Sequence, residues 1–234
     1  MDMRRVIAGV IAQGDVAAGA SLSVTFNDYF YYPQPGTLWQ SYGEALSLGD
    51  AASDRIVVVS VTIGGGGYAS DASSVDIGGT TATKAVQVSA SLNYGDASIW
   101  YAEIATGTSA TITVTKSDSR NDNMVVSCFS IYNATSATPV DTDSTYNNTS
   151  IDTSPEQSVT LSYTGDGVAI AAYRAGAADG DDDTGSFTLI NKDVDVASSG
   201  HMAGSGVTAS GTITGTQTSD TSVRRLGMCG AAWQ

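Results

Sequence analysis

From Arg55 to Thr115 apolar residues recur at every second position through a series of short runs: RIVVVSVTI, SSVDIGGTTATKAVQVSA, ASIWYAEI and SATITVT. A period of two places alternate side chains on opposite faces of a pleated strand, and the Val, Ile and Thr content of these runs suits a half-buried sheet surface. No window repeats apolar residues at helical spacing over three turns, so the chain is expected to be all-β.

Strands are expected near 4–11, 20–27, 55–63, 73–78, 84–90, 97–104, 109–116, 123–132, 156–163, 166–173, 186–192, 205–216 (as a hairpin about Gly211) and 223–233. Strands spaced this closely, separated by Gly, Asn, Asp and Ser clusters, point to an antiparallel two-sheet β-sandwich of jelly-roll type. Ile77-Gly78-Gly79-Thr80 and Tyr163-Thr164-Gly165-Asp166-Gly167 place Gly where a tight hairpin turn requires positive φ. The 234 residues include 26 Gly but only 4 scattered Pro, so no linker divides the chain. One domain over 1–234 is expected, with an N-terminal strand and aromatic-rich segment (1–45) before the core sandwich (46–234).

With 24 Asp and Glu against 10 Lys and Arg, the formal charge is -14. Nucleic acid and anionic membrane are therefore excluded as partners, since both are repelled and neither meets a basic cluster. No stretch approaches the ~20 apolar residues that span a bilayer. The opening MDMRRVIAGVIAQGD is read as a first strand rather than a secretion signal, because its apolar run is short and broken by Gly9. Cys128 and Cys229 both fall inside strand patterns and are read as buried free thiols, although a bridge between them stays open.

Residues with chemical potential are sparse. The only histidine, His201, sits in the Gly/Ser-rich stretch ASSGHMAGSG and reads as a surface residue of a turn. Glu103 reads as an outward strand residue, and IGGGGYAS lacks the Lys-Ser/Thr that completes a phosphate-binding loop. In AGAADGDDDTGS, Asp179, Asp181 and Asp183 alternate as calcium ligands do. Thr184 and Ile190 nevertheless stand where the calcium loop requires Gly and Glu. The stretch is read as a solvated acidic loop like DTDSTYNNTS (141–150), so no metal or other cofactor is expected; those three aspartates are the calcium candidates.

FNDYFYYPQPGTLWQSY, residues 26–42, concentrates aromatics beside Pro33, Pro35 and Gly36 and is read as an irregular connection. In one reading Phe26, Phe30 and Trp39 cap the core while the tyrosines lie half exposed; in the other the segment is a subunit interface or a stacking platform for sugar rings.

The succession DRIVVVSVTI, SSVDIGGTTATKAV, SIWYAEIATGTSATITVT, VVSCFSIYNATSATPVDT, SVTLSYTGDGVAIAAY and a short AAW ending resembles a group of β-sandwich proteins encoded among the structural genes of tailed bacteriophages and prophages. The likeness covers roughly positions 48–234. It implies a non-enzymatic virion protein, made in the host cytoplasm: a capsid decoration protein, a head fibre or a part of the tail tip. Its expected partners are other capsid or tail proteins and further copies of itself, with no catalytic residues to carry over. The expected interface is Arg4, Arg5, Tyr29, Phe30, Tyr31, Tyr32, Trp39 and Tyr42, because these concentrate aromatic and basic side chains near a terminus. The rival expectation is a carbohydrate-binding or host-receptor-binding module, in which Tyr29, Tyr31, Tyr32, Trp39 or Trp100 stack on a host-surface glycan. A polysaccharide depolymerase comes third.

Overall fold

The computed structural model describes residues 20–34, 36–64, 70–89, 95–147, 156–176, 184–196, 200–218 and 224–234. The expected strand at 4–11, with Arg4 and Arg5, and the calcium candidates Asp179, Asp181 and Asp183 lie outside them.

The described strands are antiparallel and form three sheets, not the expected two. The central sheet runs β1 (Ser23–Tyr32), β9 (Asn123–Tyr132), β3 (Ile56–Gly64), β7 (Asp96–Glu103), β6 (Thr83–Ser89). A second sheet runs β2 (Trp39–Ser47), β8 (Ser109–Arg120), β4 (Ala72–Ile77), β5 (Thr80–Thr81). The third runs β10 (Asp141–Asn147), β15 (Arg224–Trp233), β11 (Glu156–Gly176), β14 (His201–Thr218), β12 (Thr184–Phe187), with β13 (Asn191–Val196) also paired to β14.

The two-residue period explains why the central sheet is covered on both faces. In β3, Val57, Val59, Val61 and Ile63 join one core cluster with Val75, Ile112 and Val114 of the second sheet. Ile56 and Val58 point the other way, into a cluster with Val168, Ile170, Ala231 and Trp233 of the third sheet. Each fully buried Val or Ile contributes about 1.5–3 kcal/mol, so β3 anchors both layers at once.

The third sheet folds back over its own outer face. β11 and β14 stay paired along nearly their whole length, Glu156–Leu161 against Thr216–Gly211 and Asp166–Arg174 against Ala209–His201. Between Leu161 and Asp166 the register shifts, and Gly165 takes φ 74°. The expected turn at 163–167 is thus a bulge within one bent strand, and the expected hairpin about Gly211 is likewise absent, because β14 follows β11 around the bend. Val159 and Leu161, before the bend, share a cluster with Ala169, Ala171 and Tyr173 beyond it and with Met228 of β15. A Cβ added at Gly230 of β15 would lie 2.9 Å from Val159 Cγ2, so a glycine is needed where the folded-back layer touches down.

Of the acidic stretch 141–150 expected to be a loop, Asp141–Asn147 are strand β10, and 148–150 lie outside the described residues. Asp141 and Asp143 alternate on it, and their Oδ2 atoms accept the backbone N–H groups of Ser162 (2.6 Å) and Thr160 (2.7 Å) on the folded-back part of β11. Carboxylates there satisfy backbone donors that would otherwise lie open along a sheet edge. The hairpin expected at Ile77–Thr80 is present, with Gly78 at φ 60° and Gly79 at φ 92° joining β4 to β5.

Candidate functional site

The aromatic segment is two strands joined by residues 33–38, not an irregular connection. Among the described residues β1 pairs with β9 alone and β2 with β8 alone. Each is therefore the outermost strand of its sheet, and because these sheets are stacked, the two edges lie side by side. Ring contacts tie them together: Phe30 to Tyr42 at 5.7 Å between centroids, Tyr32 to Trp39 at 5.1 Å and Tyr32 to Tyr42 at 3.9 Å. The boundary expected near residue 45 falls inside β2.

Period two sorts the interface candidates. Phe30 and Trp39 are core residues, and Phe26 packs against Phe129 at 5.6 Å. Trp39 donates its Nε1–H to the Asp122 carbonyl at 2.8 Å, and the Lys116 ammonium lies 3.7 Å above its ring. Lys116 in turn is paired with Asp122 at 2.8 Å, both side chains buried. Trp100 is also buried, donating to Ser98 Oγ at 3.0 Å. Neither tryptophan presents a face to a sugar. Tyr29 is 47% exposed, while Tyr31, Tyr32 and Tyr42 are half-buried. Burial, followed by the charge of Glu44, holds the Tyr42 phenol above its usual range. The edge thus keeps a tyrosine surface over a tryptophan-anchored base.

His201 is not the surface residue expected. It opens β14, is fully buried, and faces the central sheet, with Nδ1 2.6 Å from Thr62 Oγ1 and Nε2 3.1 Å from Asn123 Oδ1. An amide oxygen can only accept, so Nε2 carries the proton and Nδ1 accepts from the Thr62 hydroxyl. Burial, then the neighbouring Arg174 charge, pushes this imidazole well below 6.5, so it is neutral. Arg174 is itself buried, with Nε and Nη1 making no hydrogen bond to the described residues, and burial pulls its pKa down to about 10. Gly64 leaves room for that guanidinium, since a Cβ there would collide with it.

The two thiols are free and buried, as expected, and they lie in different cores: Cys128 faces the second sheet, Cys229 the central one. Burial pushes the Cys128 thiol up to about 12 and Cys229 well above its usual value, so neither supplies a thiolate nucleophile near neutral pH. Asp96 is buried between the central and second sheets. It accepts bonds from Ala72 N at 3.0 Å, Gln87 Nε2 at 2.9 Å and Ser98 Oγ at 3.2 Å, yet burial outweighs these and raises its pKa to about 7. Glu103 is exposed at the end of β7, as expected. Among the described residues no three His, Cys, Asp or Glu side chains gather as a metal site, and no helix is long and apolar enough to cross a membrane.

Against this geometry, no family model, no curated protein and no solved structure matches the chain.

Proposed function

We propose that the protein is a non-enzymatic structural component of a tailed-bacteriophage virion, made in the host cytoplasm, that docks on neighbouring virion proteins through the adjoining edges of β1 and β2. The observation that carries this reading is the side-by-side placement of two outermost strands with Tyr29 exposed on one of them. An outermost strand offers backbone donors and acceptors to an incoming strand, and doubling the edge doubles the recognition surface. The ring stack beneath holds the two edges in register, so little ordering is left for binding to cost. A capsid decoration protein, a head fibre or a part of the tail tip is compatible with such a docking edge on an antiparallel β-sandwich.

The test is particle composition. Mass spectrometry of purified virions finds the chain in fixed ratio to the major capsid or tail protein, and Tyr29→Asp lowers its incorporation without changing its melting temperature. Particles that lack the chain, or that take up Tyr29→Asp normally, sink the proposal.

A carbohydrate-binding or host-receptor-binding role is the second reading. It is favoured by a different observation, a pocket at the opposite end of β1 from the ring stack, whose lining includes Ser23, Thr25, Asp50 and Asp54.

A further inference from the structure

That pocket, of about 540 Å³, opens where β1, the β2–β3 loop and the end of β9 meet. Its volume lies within the range of small-ligand sites. Ser23 and Thr25 come from β1, Asp50 and Asp54 from the loop, Tyr132 from the end of β9 and Asn133 from just beyond it.

The loop is held rigidly from below. Arg55, itself buried, donates through Nη1 to the carbonyls of Leu48 (3.2 Å), Gly49 (3.0 Å) and Asp50 (3.0 Å), and through Nε and Nη2 to Ile104 (2.7 Å), Thr106 (2.9 Å) and Gly107 (2.8 Å). Tyr132 donates its hydroxyl to the Asp50 carbonyl at 2.9 Å, which fixes the ring as one wall. Asn133, at φ 60°, donates its backbone N–H to Asp54 Oδ2 at 2.7 Å. Gly49 takes φ 70° between Asn27 and the Tyr132 hydroxyl, where a Cβ would meet atoms at 2.7 and 3.0 Å.

The pocket lining also includes polar groups that the fold does not use. The Ser23 and Thr25 hydroxyls, the Asp50 carboxylate and Asp54 Oδ1 make no hydrogen bond to the described residues. Acceptors outnumber donors, so the complementary ligand is rich in hydroxyl donors. No Lys or Arg lines the pocket, and the one guanidinium beneath it is spent on carbonyls. An anionic ligand is thereby disfavoured. A bare cation would leave the hydroxyl donors idle, whereas a sugar uses donors and acceptors together and sets its C–H face against Tyr132 and Ala52.

We propose that this pocket binds a neutral hexose unit of a glycan, with Asp50 and Asp54 accepting from sugar hydroxyls, Ser23 and Thr25 completing the bonds, and Tyr132 stacking beneath. The inference rests on the carbohydrate-binding reading alone. Virion composition is measured separately, so either result can fail without the other.

The test is saturation-transfer NMR on the full chain against glucose, galactose, mannose, N-acetylglucosamine and their neutral oligosaccharides at up to ~10 mM, with spermidine as the cationic control. Asp50→Ala and Thr25→Val remove groups that hold nothing else in the fold, so both keep the parent melting temperature; should one be destabilised, the other decides. At least one neutral saccharide binds, salt leaves its affinity unchanged, and each variant weakens it about tenfold or more. No bound saccharide in the panel, binding that survives both substitutions, or a preference for spermidine overturns the proposal.

Discussion

His201 Nδ1 lies 2.6 Å from Thr62 Oγ1, so a single hydrogen bond joins the first residue of β14 in the third sheet to β3 in the central one. With the Asn123 bond on the other ring nitrogen, the imidazole is a buried crosslink between layers. The consequence is a pH dependence with a definite sign. The folded pKa lies well below 6.5, so below about pH 6.5 the unfolded chain takes up a proton that folded His201 refuses. Stability from this group is full above that pH and falls as the pH drops, by at most about 1.4 kcal/mol per pH unit. In urea titrations His201→Gln is therefore destabilised most at pH 8, and the gap to wild type narrows at pH 5. A gap that is constant across this range refutes the neutral buried assignment.

Asp96 acts in the opposite direction over part of the same window. Its folded pKa, raised by burial from 3.8 to about 7, makes the folded chain hold a proton that the unfolded chain releases between those values. Stability from this group is thus lost as pH rises toward 7, again by about 1.4 kcal/mol per unit at most. Asp96→Asn removes the titration, so relative to wild type it fares better at pH 8 than at pH 5. Equal differences at the two pH values would mean that the three hydrogen bonds to Asp96 keep it ionised throughout.

Arg55 satisfies six backbone carbonyls from two loops, a pattern that a planar guanidinium fits and an ammonium does not. Arg55→Lys leaves several of those carbonyls, most of them part-buried, without a protein donor, and each costs up to about 1–3 kcal/mol. A loss above about 3 kcal/mol is expected, together with faster amide exchange in residues 48–50 and 104–107. A change below 1 kcal/mol would show that water replaces the guanidinium at little cost.

The strands that were legible in the sequence are those with apolar residues on at least one face throughout. β3, β7, β8 and β9 fall where the two-residue period placed them, and Gly78-Gly79 forms the expected hairpin. β2 and β10 were illegible because outermost strands need little apolar content: β2 buries only Trp39 and Leu46, and β10 is chiefly Asp, Thr and Ser, stabilised by pairing with β15 and by its own carboxylates accepting backbone N–H groups of β11. The third sheet was hidden for a related reason. Alternation reports that two faces are buried, not which layers cover them, and the doubling of β11 onto β15 depends on contacts far apart in sequence. His201 misled because its neighbours Gly200, Ser198 and Ser199 look like a turn, while its burial is set by Thr62 and Asn123. Of the interface candidates, the density of aromatics was legible. Which of them face solvent was not, because that follows from a bulge between Phe26 and Asp28 in the pairing of β1 with β9.

The aromatic side chains of β1 and β2 are part of the core packing, which decides what removing them does. A chain lacking residues 1–42 loses all of β1 and the first part of β2, and with them Phe30 and Trp39 from the cluster that holds Met124, Val126, Cys128 and Val114. It also strips the ring from above Lys116 and the indole bond from the Asp122 carbonyl, beside a buried ion pair that depends on good surroundings to offset its desolvation. Truncating a single buried Phe or Trp to Ala costs about 3–5 kcal/mol, so removing both and a whole strand exceeds the 5–15 kcal/mol typical of total stability or comes close to it. The truncated chain is expected to be aggregated or to bind a hydrophobic dye, with Cys128 open to a thiol reagent that does not label it in the intact fold. A soluble, cooperatively melting product with Cys128 still protected would show that this segment is separable, and would mean that β9 tolerates an uncovered edge.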